Sequence, residues 1–173
     1  NISSFKDGIW RVQDFSSSFP LNNIEDHIID KSCLDMCEAP GGKSFQILSR
    51  KKNIVLNDKN HKRIAVLKKN LARLNFNPKI TCIDVHKLDK KPIYDFIIVD
   101  APCSAIGTIR KNPEIFYREK APNFLNLIKI QRKMLKVASQ LLKDNGIILY
   151  MVCSFLKDES TNQVDHFLSN NNN

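Results

Sequence analysis

The sequence has no apolar run long enough to cross a bilayer: its longest are about eight residues, where a spanning helix needs about 20. The first residues, NISSFKD, lack the charged and apolar regions of a secretory signal. Cysteine is scarce and odd in number, five in all, and sits inside strand-like runs. That placement excludes the disulfide framework of a small secreted domain and points to reduced thiols in a cytoplasmic protein. Cys33 and Cys37 stand four apart, but no second pair or nearby His completes a zinc set, so no metal is expected. The GxGxxG fingerprint is missing, and Lys43 follows Gly41-Gly42 without the spacing of a phosphate loop, so neither a dinucleotide nor a nucleotide triphosphate has a special claim. Acidic charge is the minority, with 18 Asp and Glu against 27 Lys and Arg, a net charge of +9. Such a balance favours a polyanionic partner through counterion release, although Lys and Asn are abundant throughout and charge alone does not single out nucleic acid.

What is present fits one domain over residues 1–173, with no internal repeat, an N-terminal segment at 1–30 and a polar tail at 169–173 expected to fray. Apolar, β-branched segments at 32–37, 54–57, 79–83, 95–99 and 146–153 read as strands. Between them, 43–50, 60–74 and 124–142 read as helices, with Ile64, Leu67, Leu71 and Leu74 at three and four spacing. Strand and helix in alternation predict an α/β fold, a doubly wound and mostly parallel sheet with helices on both faces. The chain stops soon after the fifth strand, so the closing strands of such a sheet are expected to be lacking. Residues 106–123, with Gly107, Pro113 and Pro122, form the longest irregular connection and read as a lid or substrate loop.

In a sheet of this kind ligands gather outside the carboxyl ends of the strands. Two thiols are delivered there: Cys103 in the turn after the fourth strand and Cys153 in the turn after the fifth, each followed by Ser. A lone cysteine is most often a small buried hydrophobe, but a repeated strand-to-Cys-Ser turn is a different pattern. After the first strand, DMCEAPGGK at 35–43 opens a helix with two adjacent glycines, where backbone can approach a ligand and helix N–H groups are unpaired. Asp58 ends the second strand, placed to take ribose hydroxyls, and Asp84 ends the third, placed to take an adenine amino group. Each acid alone is also a natural helix cap or surface residue. With Asp35 they make three strand ends bearing acid, and an adenosyl cofactor accounts for all three.

These segments resemble a known family. DMCEAPGGK, DAPCSAIGTIRKNPEI at 100–115 and YMVCS at 150–154, with GIWRVQD at 8–14, are similar to the RNA cytosine-5 methyltransferases of the Sun/Nop2/Fmu type. The basic pair Arg110-Lys111 before Asn112-Pro113-Glu114, and Gln131 downstream, look most like the bacterial 16S ribosomal RNA branch. The resemblance implies a class I, Rossmann-like methyltransferase fold, S-adenosylmethionine as cofactor and RNA as partner, ribosomal RNA first and transfer RNA second. It implies a monomer in the cytoplasm, away from membranes.

Cytosine C5 is a poor nucleophile until a thiolate adds to C6, and the resemblance assigns that attack to Cys153 and product release to Cys103. Asp100 is placed to hold the N3 and amino edge of the base. A free thiol ionises near 8.5, so Cys153 is expected to draw help from Lys, Arg or a helix N-terminus. The cofactor residues implied are Cys37, Ala39, Pro40, Gly41, Gly42, Lys43, Asp58, Arg63, Asp84 and Asp100. Lys43 reads equally as a solvated lysine at a helix start. Arg110, Lys111 and Arg118 are candidate phosphate contacts, and Phe116 and Tyr117 read either as RNA-stacking rings or as local packing. Glu38, Ala105-Ile106, Val152 and Ser160 depart from the family pattern without deleting a catalytic group. Glu38 and the lack of the family's N-terminal RNA-binding extension leave a second reading, a non-catalytic RNA-binding or assembly module that keeps the fold.

Overall fold

The computed structural model describes residues 3–24, 28, 30–37, 41–50, 53–91 and 93–171. Five parallel strands form its sheet: β1 Cys33–Asp35, β2 Ile54–Asn57, β3 Ile80–Thr81, β4 Tyr94–Asp100 and β5 Leu142–Met151, in the order β3-β2-β1-β4-β5. The order reverses between β1 and β4, which opens the crevice where such sheets bind ligands. Phe96, Ile97, Ile98 and Val99 are fully buried in β4, each withdrawing about 1.5–3 kcal/mol worth of apolar surface from water, and this strand lies inside the sheet.

Alternation along the strands divides the core into two layers. Phe96 and Ile98 face one side with Ile64, Leu67 and Leu71 of α4 (His61–Arg73), Phe45 and Ile47 of α3 (Gly42–Ser49) and Leu21 of α2 (Phe15–Asn23). Ile97 and Val99 face the other side with Met134, Val137, Ala138 and Leu141 of α5 (Phe124–Leu141). The doubly wound expectation holds. Asn60 caps α4 by accepting from the Lys62 and Arg63 amides at 2.9 and 3.2 Å.

The differences from the expected elements are local. Leu142 follows α5 without a loop and already pairs with Tyr94, and the register then slips so that Phe96 meets Ile147, with Asn145 at φ 61° inside the slip. Two short 3-10 turns, Ile106–Thr108 and Pro113–Tyr117, give shape to the loop expected to be irregular. Helix α2 had no periodic signal and contains Pro20, yet Asp14 caps it and Gln46 of α3 donates to Ser18 O at 3.1 Å and Asn22 Oδ1 at 2.6 Å. A four-residue α1 (Ser3–Lys6) precedes it, and α6 (Thr161–Ser169) follows β5 and packs on α5. Asn170 and Asn171 continue the bonding of α6, donating to Phe167 O and Leu168 O. No helix among the described residues is long and apolar enough to cross a membrane.

Candidate active site

Register explains the thiol pair. Asp100, the last residue of β4, lies beside Met151, the last of β5, and the Ala101 amide donates to Met151 O at 3.0 Å. Both chains then turn over the same edge, and Cys103 Sγ and Cys153 Sγ meet at 3.3 Å as free thiols. The Gly107 amide donates to Cys153 O at 3.0 Å, and a Cβ at Gly107 would stand 3.1 Å from that oxygen. A side chain there would press on the turn that presents Cys153. Either sulfur can donate to the other across this contact. Donation from Cys103 is the main influence holding the Cys153 thiol down at about 7, against burial and the Asp100 charge, with Lys43 assisting. The same contact, with burial, pushes Cys103 up. The help expected from Lys or Arg thus comes first from the neighbouring thiol, with a backbone hydrogen bond at Cys153 and then Lys43 adding to it.

Lys43 Nζ sits 2.5 Å from Asp100 Oδ2, its side chain 15% exposed, so the freely solvated lysine of the bland reading is not what the fold makes. It spans from the start of α3 to the end of β4, joining the glycine loop to the thiol edge. Gly41 holds φ at +118°, and a Cβ there would lie 2.0 Å from the Phe45 ring. Only glycine fits that position. Around Gly42 a Cβ would meet nothing within 4 Å, which leaves backbone open to a ligand. Glu38, Ala39 and Pro40 lie outside the described residues.

The strand-end acids differ in what they do. Asp35, buried, accepts from the Cys37 amide at 3.2 Å and Ser44 Oγ at 3.0 Å, so it shapes the glycine loop from within. Asp84 caps a 3-10 turn, Val85–Lys87, by accepting from the His86 amide at 3.1 Å. Asp58 accepts from the Asn60 amide at 2.8 Å through Oδ1, while its buried Oδ2 receives no hydrogen bond and has Arg63 Nη1 3.3 Å away. Cys37 lies among these charges: burial first, then Asp35 and Asp58, push its thiol up to about 12, and Arg63 opposes them. An adenosyl group fits this donor set, because a buried carboxylate oxygen without a hydrogen bond and an open glycine backbone stand at neighbouring strand ends. Sequence reasoning missed Asn57, fully buried, whose amide donates to Met36 O and Ile83 O and accepts from Thr81 Oγ1 and the Ile83 amide. It ties the ends of β1, β2 and β3 together.

Over Cys153 lies a cavity of 390 Å³ lined by Asp14, Gly107, Arg110, Lys111 and Phe155 among others. The N-terminal segment builds one wall. Arg11 donates to Gly42 O at 3.2 Å, Gln13 to Gln46 Oε1 at 3.2 Å, and Asp14 pairs with Lys111, which holds the Asp14 carboxyl far below its ordinary value. Lys111 is therefore occupied, and Arg118 donates to Ser104 O at 2.9 Å. Of the three expected phosphate contacts, Arg110 alone makes no hydrogen bond or ion pair among the described residues. Phe116 and Tyr117 are 72% and 85% exposed, which removes the local-packing reading for both rings.

Beneath the thiols is a residue that sequence reasoning did not single out. Glu159 is fully buried and accepts from the Ser104 amide at 2.8 Å, Ser104 Oγ at 2.5 Å and Gln131 Nε2 at 3.3 Å. The available signal was a Ser after each Cys and Gln131 on the apolar face of α5.

The chain is similar to known proteins in sequence and in fold. The family described as 16S rRNA methyltransferase RsmB/F matches residues 22–173. Ribosomal RNA small subunit methyltransferase B of Pasteurella multocida is 32% identical over 180 residues, covering 98% of this chain and 40% of the relative. That of Pectobacterium atrosepticum is 35% identical over 173 residues, covering 97% of this chain and 40% of the relative. The crystal structure of NSun6 from Pyrococcus horikoshii with SFG, an S-adenosylmethionine analogue, superposes with a TM-score of 0.86 at 26% identity, covering 98% of this chain and 44% of that one. The chain thus spans about 40% of the length of the curated relatives it matches.

Proposed function

This chain belongs to the 16S rRNA methyltransferase RsmB/F family, and we propose that it forms the catalytic part of an S-adenosylmethionine-dependent RNA cytosine-5 methyltransferase acting on ribosomal RNA in the cytoplasm. The observation that carries the reading is the pair of free thiols 3.3 Å apart at the carboxyl edge of the sheet. An ordinary thiol is mostly protonated at neutral pH, whereas Cys153 is held down at about 7.

In this reading Cys153 attacks C6 of the cytosine: the Sγ–C6 bond forms, the C5–C6 π pair moves to C5, and Asp100 holds the N3 and amino edge where charge develops. When bound, S-adenosylmethionine supplies the methyl group as an electrophilic sulfonium. Cys37, Gly41, Gly42, Lys43, Asp58, Arg63, Asp84 and Asp100 form its site, completed by Ala39 and Pro40, with Asp58 Oδ2 as the ribose acceptor. Once C5 carries the methyl group, its proton passes to Cys103 acting as base, the C–H pair restores the C5–C6 double bond, and the Cys153 sulfur leaves C6 as thiolate. Lys43 holds the Asp100 side chain beside the base and adds positive potential at Cys153. Arg110 takes an RNA phosphate, and Phe116 and Tyr117 offer stacking faces for unpaired bases.

The test is tritium release from RNA carrying 5-tritiated cytosine. Wild-type protein with cofactor releases tritium, and Cys103→Ala accumulates a covalent RNA adduct that survives a denaturing gel. Ready turnover by Cys103→Ala overturns the role given to that residue. A folded protein that fails to bind S-adenosylmethionine in calorimetry overturns the enzyme reading in favour of the binding module.

A further inference from the structure

Glu159 is a buried carboxylate that no step above uses. It lies in a 3-10 turn, Lys157–Glu159, just after β5, in an acidic stretch that would be solvated on most surfaces. Instead it is withdrawn entirely from water. Burial alone would push its carboxyl up, but hydrogen bonds from Ser104, Ser154 and Gln131 outweigh that and hold it below its ordinary value, so it is a charged group. A buried charge is strongly disfavoured unless its acceptor positions are filled, and here they are filled by Ser104 from the Cys103 turn and by Gln131 from α5.

The wiring is specific. Ser104, directly after Cys103, gives Glu159 both its amide, at 2.8 Å, and its hydroxyl, at 2.5 Å. The Ser104 hydroxyl also lies 3.3 Å from that of Ser154, directly after Cys153. Gln131 reaches from α5 to Glu159 at 3.3 Å and to Pro102 O at 3.0 Å, on the other side of Cys103. Tyr150, three residues before Cys153, donates its hydroxyl to the Glu159 main-chain oxygen at 2.7 Å. Residues flanking both cysteines are thus fastened to this one side chain and its backbone, while the thiols themselves project beyond it to meet each other.

We propose that Glu159 is a positioning residue that clasps the Cys103-Ser104 and Cys153-Ser154 turns together and thereby sets the contact between the two thiols. Its part in methyl transfer rests on the function proposed above; its part in the thiol contact does not. The groups facing Cys153 are Cys103, Asp100 and Lys43, with Asp14, Arg110 and Lys111 lining the cavity above it, and Glu159 acts on it only through the turns.

The experiment measures the rate of Cys153 alkylation by iodoacetamide against pH, read by mass spectrometry of the Cys153 peptide, with no RNA or cofactor present. In the wild type the midpoint is expected at about 7. Glu159→Ala loosens the clasp, and the midpoint rises toward the ordinary thiol value of about 8.5. In Cys103→Ala, where the contact is already gone, adding Glu159→Ala moves it no further, the signature of two changes acting on one interaction. Glu159→Gln restores a low midpoint, since an amide oxygen accepts from the Ser104 amide and a hydroxyl can accept from the amide nitrogen. An unchanged midpoint in Glu159→Ala overturns the proposal, as does an equal further rise in the double variant. If Glu159→Ala does not fold cooperatively, Ser104→Ala, which removes only one hydroxyl of the clasp, is read by the same two outcomes. Because alkylation needs no substrate, absent tritium release would sink the proposed activity without touching this result.

Discussion

The two halves of the sheet edge are built by opposite means. On the β1, β2 and β3 side the strand ends are drawn together by Asn57 and the loop is shaped by Asp35, yet the fold leaves one buried oxygen of Asp58 without a hydrogen bond and the backbone at Gly42 open. On the β4 and β5 side the buried Glu159 carboxylate is filled from within by Ser104 and Gln131, although Gln131 Oε1 itself is buried without a hydrogen bond, and what faces outward is a pair of sulfurs. A half that leaves a buried carboxylate oxygen without a hydrogen bond is prepared to hold a ligand. A half that satisfies its buried carboxylate and exposes nucleophiles is prepared to react. Lys43, from the first half, meets Asp100, from the second, and is the direct ion pair between them.

The comparison breaks most completely at Cys153. Cys153→Ala is expected to abolish tritium release, because it removes the thiol assigned to C6, while S-adenosylmethionine affinity in calorimetry stays within about twofold, since surface changes away from a binding site are near neutral. A large loss of cofactor affinity would show that the halves are not separable. The converse change is Asp58→Asn. It keeps the side-chain shape and removes the charge, and losing a charged acceptor is worth about 1.5–3 kcal/mol, so affinity should fall about tenfold to a hundredfold. The alkylation rate of Cys153 should not follow it. If that rate falls as well, Asp58 serves both halves.

Much of this division was legible in the sequence, and the reasons are physical. β2 and β4 announce themselves by β-branched runs that must be covered on both faces, and α4 by Ile64, Leu67 and Leu71 on one stripe. The two Cys-Ser turns and the glycine loop are contiguous motifs, so they survive in one dimension. What stayed hidden depends on distant pairing. Glu159 looks like any acid of a polar stretch until the fold places Ser104 against it across 55 residues. Lys111 and Arg118 look like phosphate contacts until Asp14 and the Ser104 carbonyl claim them. Helix α2 hides because FSSSFP is poor helix material, and its stability comes from the Asp14 cap and from Gln46 on a neighbouring helix.

The smallest expected effect sharpens the reactive half alone. Cys103→Ala removes the S–H that favours the Cys153 thiolate, so the Cys153 midpoint should rise from about 7 toward about 8.5. The sign follows from which form the donor stabilises: an S–H pointing at sulfur lowers the energy of the thiolate, and deleting it returns the proton more readily. At pH 7 the thiolate fraction then drops from about half to a few per cent, roughly a tenfold loss in alkylation rate that vanishes above pH 9. Cys103→Ser keeps a donor, and its midpoint should lie closer to the wild type than to the alanine variant. Lys43→Met offers the control, because its charge assists Cys153 less than the thiol contact does, and its midpoint should move less. A larger shift from Lys43→Met than from Cys103→Ala would mean that the charged bridge between the halves, and not the neighbouring sulfur, is what readies the nucleophile.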